Sequence, residues 1–233
     1  MDSQNSQLTR FLWSNNRMKE KFENAFKNWV ELACSEWGYD TPPESYYQIV
    51  FDRLPDGLRI ILGYGIDRSL IIQMGKEFSL EGLHEKKGPY NWFSRDSSKK
   101  KPAPNWEYYV QVAEYVRLFE LAERNNLHLT FEDDLMDIAL YDDGKLIVCC
   151  EVKEQTSQLI KLLQGIREYQ NDVKKIDFTI DDRNNDPLRK AKYIVKNRPD
   201  YFYLISIGTK LEFSVDYPED GTFNLIDDFI PYI

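Results

Sequence analysis

Residues 135–155 constrain the fold of this chain more than any other stretch. Two apolar runs, 135–141 and 146–150, flank a turn cluster that contains Asp143-Gly144. An Asp-Gly pair between apolar runs is a strong signal for a β-hairpin. The second run carries no charged residue, which is typical of a strand that is buried on both faces. The sequence therefore predicts an antiparallel hairpin within a larger sheet.

Charged residues stand at one end of this hairpin. Glu151 and Lys153 follow the second run, and a spacing of two puts them on the same face of a strand. Asp137 lies on the partner strand. Paired carboxylates bind Mg²⁺, the metal activates a water, and a lysine can orient that water or stabilise charge on a phosphate. The plain alternative is a solvated strand end, because Glu-x-Lys after an apolar strand often arises by chance.

These residues resemble the motif of the PD-(D/E)XK nuclease superfamily, over roughly residues 105–215. Asp137 matches the metal-binding Asp of that family, Glu151 and Lys153 match its Glu-x-Lys, and Gln155 extends the match. The resemblance implies a restriction-endonuclease-like core and a Mg²⁺ cofactor that Mn²⁺ can replace. It also implies metal ligation by Asp137, Glu151 and the main-chain carbonyl of Val152.

A helix is predicted before the hairpin, from Asn105, a favourable N-cap, to about residue 125. The resemblance implies that a glutamate on this helix supports the metal shell. Glu107 is the first candidate and Glu114 the second. A glutamate in the first turn also interacts favourably with the helix dipole with no further role, so this alternative stays open for Glu107.

The two-residue turn that Asp143-Gly144 favours conflicts with a metal site shared by Asp137 and Glu151. Directly opposed residues of an antiparallel pair share a face, and a slip of one residue reverses this. A two-residue turn at Asp143-Gly144 in a regular hairpin would place Asp137 opposite Cys150, on the other face from Glu151. A three-residue loop or a β-bulge would instead bring Asp137 opposite Glu151. We therefore predict one of these two irregularities.

The chain carries a net charge of −9, which argues against a broad basic surface for nucleic acid. Contacts with nucleic acid would have to come from confined basic patches. One candidate is Lys99-Lys100-Lys101, within the basic and aromatic segment 86–104. That segment is predicted as a solvated linker, with a nucleic-acid-binding loop as the alternative. Gln155 and Lys190, the latter on a densely positive helix, are further candidates for nucleic-acid contact.

Composition also bounds the class of protein. Three cysteines cannot build a disulfide framework, and adjacent Cys149 and Cys150 are predicted as small core residues. With two histidines in the chain, a zinc site is not expected. No apolar run reaches the length of a membrane span, and the N-terminus lacks a signal-peptide pattern. We expect a cytoplasmic protein with no membrane partner.

The remaining chain is predicted from apolar periodicity and turn residues. The predicted elements are a helix at 7–36 with an aromatic core stripe, an antiparallel meander at 45–80, a helix at 156–172, a helix from Asp186, and strands at 201–207 and 211–216. The resulting fold class is α/β, with a mixed central sheet flanked by helices and an N-terminal helix-plus-meander unit. The predicted boundary separates an accessory region, 1–100, from a nuclease core, 105–233.

The function predicted from these features is a Mg²⁺-dependent nuclease that hydrolyses nucleic acid, with DNA as the expected substrate, in restriction, repair or anti-phage defence. The alternative is a catalytically inactive domain of the same fold that binds a protein or nucleic acid. A homodimer or a complex with a partner protein is compatible with either.

Overall fold

The computed structural model describes residues 2–82, 88–133, 135–170 and 172–227, excepting the side chains of residues 2–14 and 173. It is a mixed α/β structure, and none of its helices in the described residues is long and apolar enough to cross a membrane. The helices are α1 (Asp2–Trp37), α2 (Glu44–Arg53), α3 (Asp56–Asp67), α4 (Trp106–Asn125), α5 (Thr156–Arg167) and α6 (Asp186–Asn197), with a short 3₁₀ helix at Val173–Lys175. The strands are β1 (Ile71–Met74), β2 (Glu77–Leu80), β3 (Tyr90–Asn91), β4 (Phe93–Asp96), β5 (Lys101–Pro104), β6 (His128–Asp133), β7 (Met136–Asp142), β8 (Lys145–Val152), β9 (Tyr201–Ser206), β10 (Thr209–Asp216) and β11 (Asn224–Ile226).

The chain forms two compact units, residues 1–117 and 118–233. The division falls inside α4, and not in the segment 101–104 where the predicted boundary lay.

The prediction of a meander over residues 45–80 is wrong for its first part, which forms α2 and α3. The buried residues of α2 are Tyr46, Tyr47, Val50 and Phe51, which recur at the spacing of one helix face. Their aromatic and β-branched types favour a strand by propensity, but packing within the first unit decides for a helix. The last part of the segment does form the antiparallel strands β1 and β2, and β3, outside the segment, completes a three-stranded sheet with them.

Gly63 explains how α3 packs in the first unit. A Cβ atom at this position would stand 1.8 Å from the carbonyl oxygen of Met18 in α1. A side chain there is sterically forbidden, so glycine allows the two helix backbones to approach closely.

The predicted aromatic core stripe of α1 is confirmed. Phe22, Phe26 and Trp29 are buried, and the Trp29 ring stacks on Trp92 with 4.8 Å between ring centroids. Trp92 in turn stacks on Phe78 at 3.9 Å. These rings form the core of the first unit.

The predicted linker 86–104 is wrong for its described part, residues 88–104, which contains β3 and the hairpin of β4 and β5. Residues 86 and 87 lie outside the described residues. In the hairpin, Asp96 pairs with Lys101, and the Asp96 carboxylate accepts hydrogen bonds from Ser98 Oγ and Lys99 N. This turn is therefore built by a local side-chain cap of the kind that Asp favours.

The second unit contains a six-stranded sheet in the order β11-β10-β9-β8-β7-β6. Every neighbouring pair is antiparallel except β8 and β9, which run parallel. A parallel pair needs a long crossover connection, and α5 and α6 lie in that connection. The predicted mixed central sheet is therefore confirmed, as are the hairpin, α5, α6 and the two closing strands.

An apolar cluster joins α5 and α6 to this sheet. It is fully buried at its centre and includes Ala139, Cys149, Leu159, Ile166, Ala191, Ile194, Phe202 and Leu204. Cys149 and Cys150 are buried in the core, as predicted. The cluster fixes α6 over the face of β7 and β8 that carries Ala139 and Cys149.

Candidate active site

A two-residue turn closes the β7–β8 hairpin. Asp142 pairs with Lys145 across Asp143-Gly144. Both turn residues have positive φ, 44° for Asp143 and 82° for Gly144. This backbone matches the right-handed twist of the strands and explains the Asp-Gly sequence. The predicted three-residue loop is therefore absent from this hairpin.

A β-bulge corrects the register. Tyr141 pairs with Leu146, but Leu140 pairs with Val148, so Ile147 is the extra residue on β8. Beyond the bulge, Ile138 pairs with Cys150, and continuing this register by one residue places Asp137 opposite Glu151. The predicted irregularity is confirmed in its second form, because one inserted residue shifts the pairing by one.

The Asp137 carboxyl lies at a half-buried position near the end of the sheet. One of its oxygens accepts a hydrogen bond from the backbone N–H of Val152. Burial and then the charge of Glu151 raise the pKa of Asp137 to about 8. The Val152 hydrogen bond and the charges of Lys190 and Lys153 act in the opposite direction. An added cation would stabilise the ionised form of this carboxyl. Its positive charge would offset both the cost of burying a negative charge and the repulsion from Glu151.

Glu151 is 2% exposed and is held by two lysines. Its Oε1 accepts a hydrogen bond of 2.6 Å from Lys153 Nζ. Its Oε2 accepts a hydrogen bond from Lys190 Nζ. A buried carboxylate needs such partners, because an unpaired charge in the interior is very costly.

Lys190 is the component that the sequence did not place. We predicted it on an exposed positive surface, and this is wrong: the residue is 4% exposed. Its ammonium bonds Glu151 and the carbonyl oxygen of Leu135. Lys190 lies three and four residues before Tyr193 and Ile194, which share the buried face of α6. The helix therefore directs this lysine into the protein.

Lys153 is less buried than Lys190 and keeps its charge. Burial acts to lower the pKa of Lys153, but the charge and hydrogen bond of Glu151 outweigh it, and the pKa is raised. Asp137 and Asp186 add to this effect. An ammonium at neutral pH can stabilise negative charge or donate a hydrogen bond but cannot accept a proton. Asp186, the first residue of α6, is thus a further acidic group in the field of the site.

Polar contacts hold α6 in place around Lys190. Asn185 caps the helix, since its side chain accepts a 3.1 Å hydrogen bond from Leu188 N and donates one of 3.0 Å to the Tyr169 hydroxyl. Farther along, Tyr193 is hydrogen-bonded to the Tyr141 hydroxyl on β7. These contacts anchor the helix on both sides of the lysine, so its direction is fixed.

The two helix glutamates of the prediction lie on the part of α4 that belongs to the first unit. Glu107 is exposed in the first turn. Glu114 is buried, and Arg117 donates two hydrogen bonds to it, of 3.0 and 2.6 Å. The role of Glu107 in a metal shell stays a prediction, and so does the role of the Val152 carbonyl.

The predicted nucleic-acid contacts other than Lys190 lie on exposed turns or at partly exposed positions. Gln155 is exposed just before α5, and its backbone N–H donates to Gln158 Oε1, which helps to cap that helix. Lys99 and Lys100 are exposed at the tip of the β4–β5 hairpin in the first unit. Lys101 is half-buried, with its ammonium 5.7 Å from the centroid of the Tyr46 ring. Their contact with nucleic acid stays a prediction.

The carboxylates of Asp137 and Glu151 fit a magnesium ion that takes few ligands from the protein. Among the described residues, no group of three or more His, Cys, Asp and Glu side chains is arranged to hold a metal. Mg²⁺, however, is commonly bound through one or two carboxylates, several waters and substrate phosphates. Asp137 and Glu151 could supply the two carboxylates from adjacent strands.

Comparisons with protein-family models, with curated proteins and with solved structures found no match. The case for a function therefore rests on the geometry and electrostatics of this site.

Proposed function

We propose that this protein is a Mg²⁺-dependent nuclease of the PD-(D/E)XK type, with a restriction-endonuclease-like core in its second unit. One observation carries the proposal. A β-bulge brings Asp137 opposite Glu151 at the end of a buried hairpin, with the Lys153 ammonium on the same carboxylate. A regular hairpin with the same turn would separate the two acids, so the bulge is the feature that makes a shared site possible.

Each residue has a distinct part in this proposal. Asp137 and Glu151 bind the metal, together with the carbonyl oxygen of Val152. When bound, the metal supplies an activated water and offsets charge on the phosphate. Lys153 remains protonated, so it orients the water or stabilises the negative charge that develops on the scissile phosphate.

The proposed substrate is nucleic acid, with DNA first, in restriction, repair or anti-phage defence. The exposed lysines of the β4–β5 hairpin would contact phosphates, which fix the position of a strand without reading its sequence. Because the protein is acidic overall, such local patches would carry most of the electrostatic attraction.

The test is cleavage of plasmid and of single-stranded DNA and RNA with Mg²⁺ or Mn²⁺. We expect cleavage by the wild type, none in EDTA, and a decrease of roughly a hundredfold or more in Lys153→Ala. Lys145→Ala is the matched control, because Lys145 lies on the same hairpin, is exposed and pairs with Asp200 at 2.8 Å. Equal activity of the two variants would overturn the assigned role of Lys153.

A second candidate is a catalytically inactive domain of the same fold that binds a partner protein or nucleic acid. The observation in its favour is that both oxygens of Glu151 are engaged by ammonium groups while the residue is nearly inaccessible. This candidate predicts no cleavage of any substrate and no change in thermal stability when Mn²⁺ is added.

A further inference from the structure

We propose that Lys190 is an internal counter-cation of the site, whose ammonium occupies the cation position at Glu151 and must leave this carboxylate before a divalent metal can bind it. The inference deepens the proposed function and rests on it for the identity of the incoming cation. Lys190 acts through Glu151 and is therefore a positioning residue.

The contacts of Lys190 resemble those of a bound hard cation. Its Nζ lies between a carboxylate oxygen of Glu151 and the carbonyl oxygen of Leu135. Carboxylate and carbonyl oxygens are the ligand types that Mg²⁺ and Ca²⁺ take in proteins. An ammonium and a divalent cation cannot occupy the same place, so the two compete for Glu151.

The charges of the site lead to the same conclusion. Metal ligation requires both acids in their ionised form, and in that state Asp137 and Glu151 are offset one for one by Lys153 and Lys190. A divalent cation entering next to two ammonium groups meets repulsion that is strong in a buried setting. Removal of one ammonium would leave an uncompensated negative charge, which is the condition that favours a divalent ion.

Lys190 is not required to attach α6 to the sheet. Ala191 and Ile194 place the helix in the apolar cluster, and Asn185 caps its first turn. Replacing a buried ion pair with apolar side chains is often neutral or stabilising, whereas removing one partner strands the other charge. Removal of Lys190 should therefore leave Glu151 with its Lys153 contact but without its second cation, and a divalent metal can supply the lost positive charge.

The experiment measures Mn²⁺ binding by calorimetry and by thermal shift, without substrate, in wild type and Lys190→Met. We expect the variant to bind Mn²⁺ roughly tenfold or more tightly and to gain more thermal stability from it. Lys192→Met is the matched control, since Lys192 is also buried on α6 but bonds the Ile180 carbonyl and Asp182. Glu151→Gln added to Lys190→Met should abolish the gain.

Lys190→Gln serves as a second variant, because its amide can still donate to the Leu135 carbonyl. If Lys190→Met folds only with Mn²⁺ present, that rescue supports the proposal. Equal or weaker Mn²⁺ binding in both variants, with binding by the wild type intact, overturns the role of Lys190 and leaves the nuclease proposal standing.

The remaining outcomes separate the two proposals further. Binding by Lys190→Met but not by the wild type supports the counter-cation and counts against a metal-dependent wild-type enzyme. Absence of binding in wild type and in both variants overturns both proposals.

Discussion

Replacing Asp137 with asparagine tests the electrostatics of the site in the absence of metal. Burial and the neighbouring Glu151 raise the pKa of Asp137 to about 8 in the folded protein. An aspartate in an unfolded chain has a pKa of about 3.9. Between these values the folded protein holds a proton that the unfolded chain has released, so stability falls as pH rises.

The two pKa values give the magnitude. From about pH 5 to about pH 7, this one group should lower the free energy of unfolding of the wild type by about 2.6 kcal/mol. Asp137→Asn has no such proton to hold, and its amide oxygen can still accept the hydrogen bond from Val152 N–H. The difference in stability between variant and wild type should therefore grow in favour of the variant across this range.

Urea unfolding at a series of pH values, with EDTA present, measures this difference. Asp143→Asn is the control, because it removes an exposed carboxyl from the same hairpin and asparagine tolerates the positive φ of that position. Parallel stability curves for wild type and Asp137→Asn would refute the reasoning, since they would show that Asp137 is ionised in the folded protein at low pH.

Two further predictions concern binding and packing. Changing residues 99–101 together to alanine should weaken binding to all nucleic-acid sequences alike. It should also lower the slope of log affinity against log salt concentration by about 0.7 to 0.9 for each phosphate that the variant no longer neutralises. An unchanged slope, measured by fluorescence anisotropy across salt concentrations, would show that these lysines do not contact phosphates. Gly165→Ala should lower the free energy of unfolding by about 1–3 kcal/mol, because the added Cβ would stand 2.6 Å from Pro187 Cγ at the start of α6; a melting temperature equal to that of the wild type would contradict this.

The sequence predicted the second unit better than the first, for a physical reason. Apolar runs separated by Asp-Gly, and helices opened by Asn or Asp-Pro, are signals that act within a few residues. The hairpin and α6 follow from them, and α5 follows from the helical spacing of Leu159, Leu163 and Ile166. In the first unit, Pro55-Asp56-Gly57 looks like a turn between strands, but Pro55 directly precedes α3 and accepts its first backbone hydrogen bonds from Leu58 and Arg59.

The prediction of a meander was wrong because the residues of α2 combine strand-favouring types with helical spacing. Tyr and Val favour strands by type, while their spacing over residues 46–51 follows one face of a helix. The close approach that Gly63 allows is a property of two helix backbones 45 residues apart in sequence. A local pattern contains no information about such a partner, so tertiary packing decides the outcome.

The site was half predictable, and the missing half follows from charge. Glu151 ends a strand that is buried on both faces, so its carboxylate required a buried partner. Lys190 stands on the apolar face of an amphipathic helix, so its ammonium required one as well. Either residue, taken alone, is compatible with a solvated surface. Taken together, an acid on the buried strand β8 and a lysine on the apolar face of α6 predict that the helix meets the hairpin at this point. Lys153 could be found from its spacing to Glu151 because both lie on one segment. Lys190 lies 39 residues away from Glu151 along the chain, so no local spacing connects the two. The pair could be found only by matching a buried acid with a buried lysine on another element.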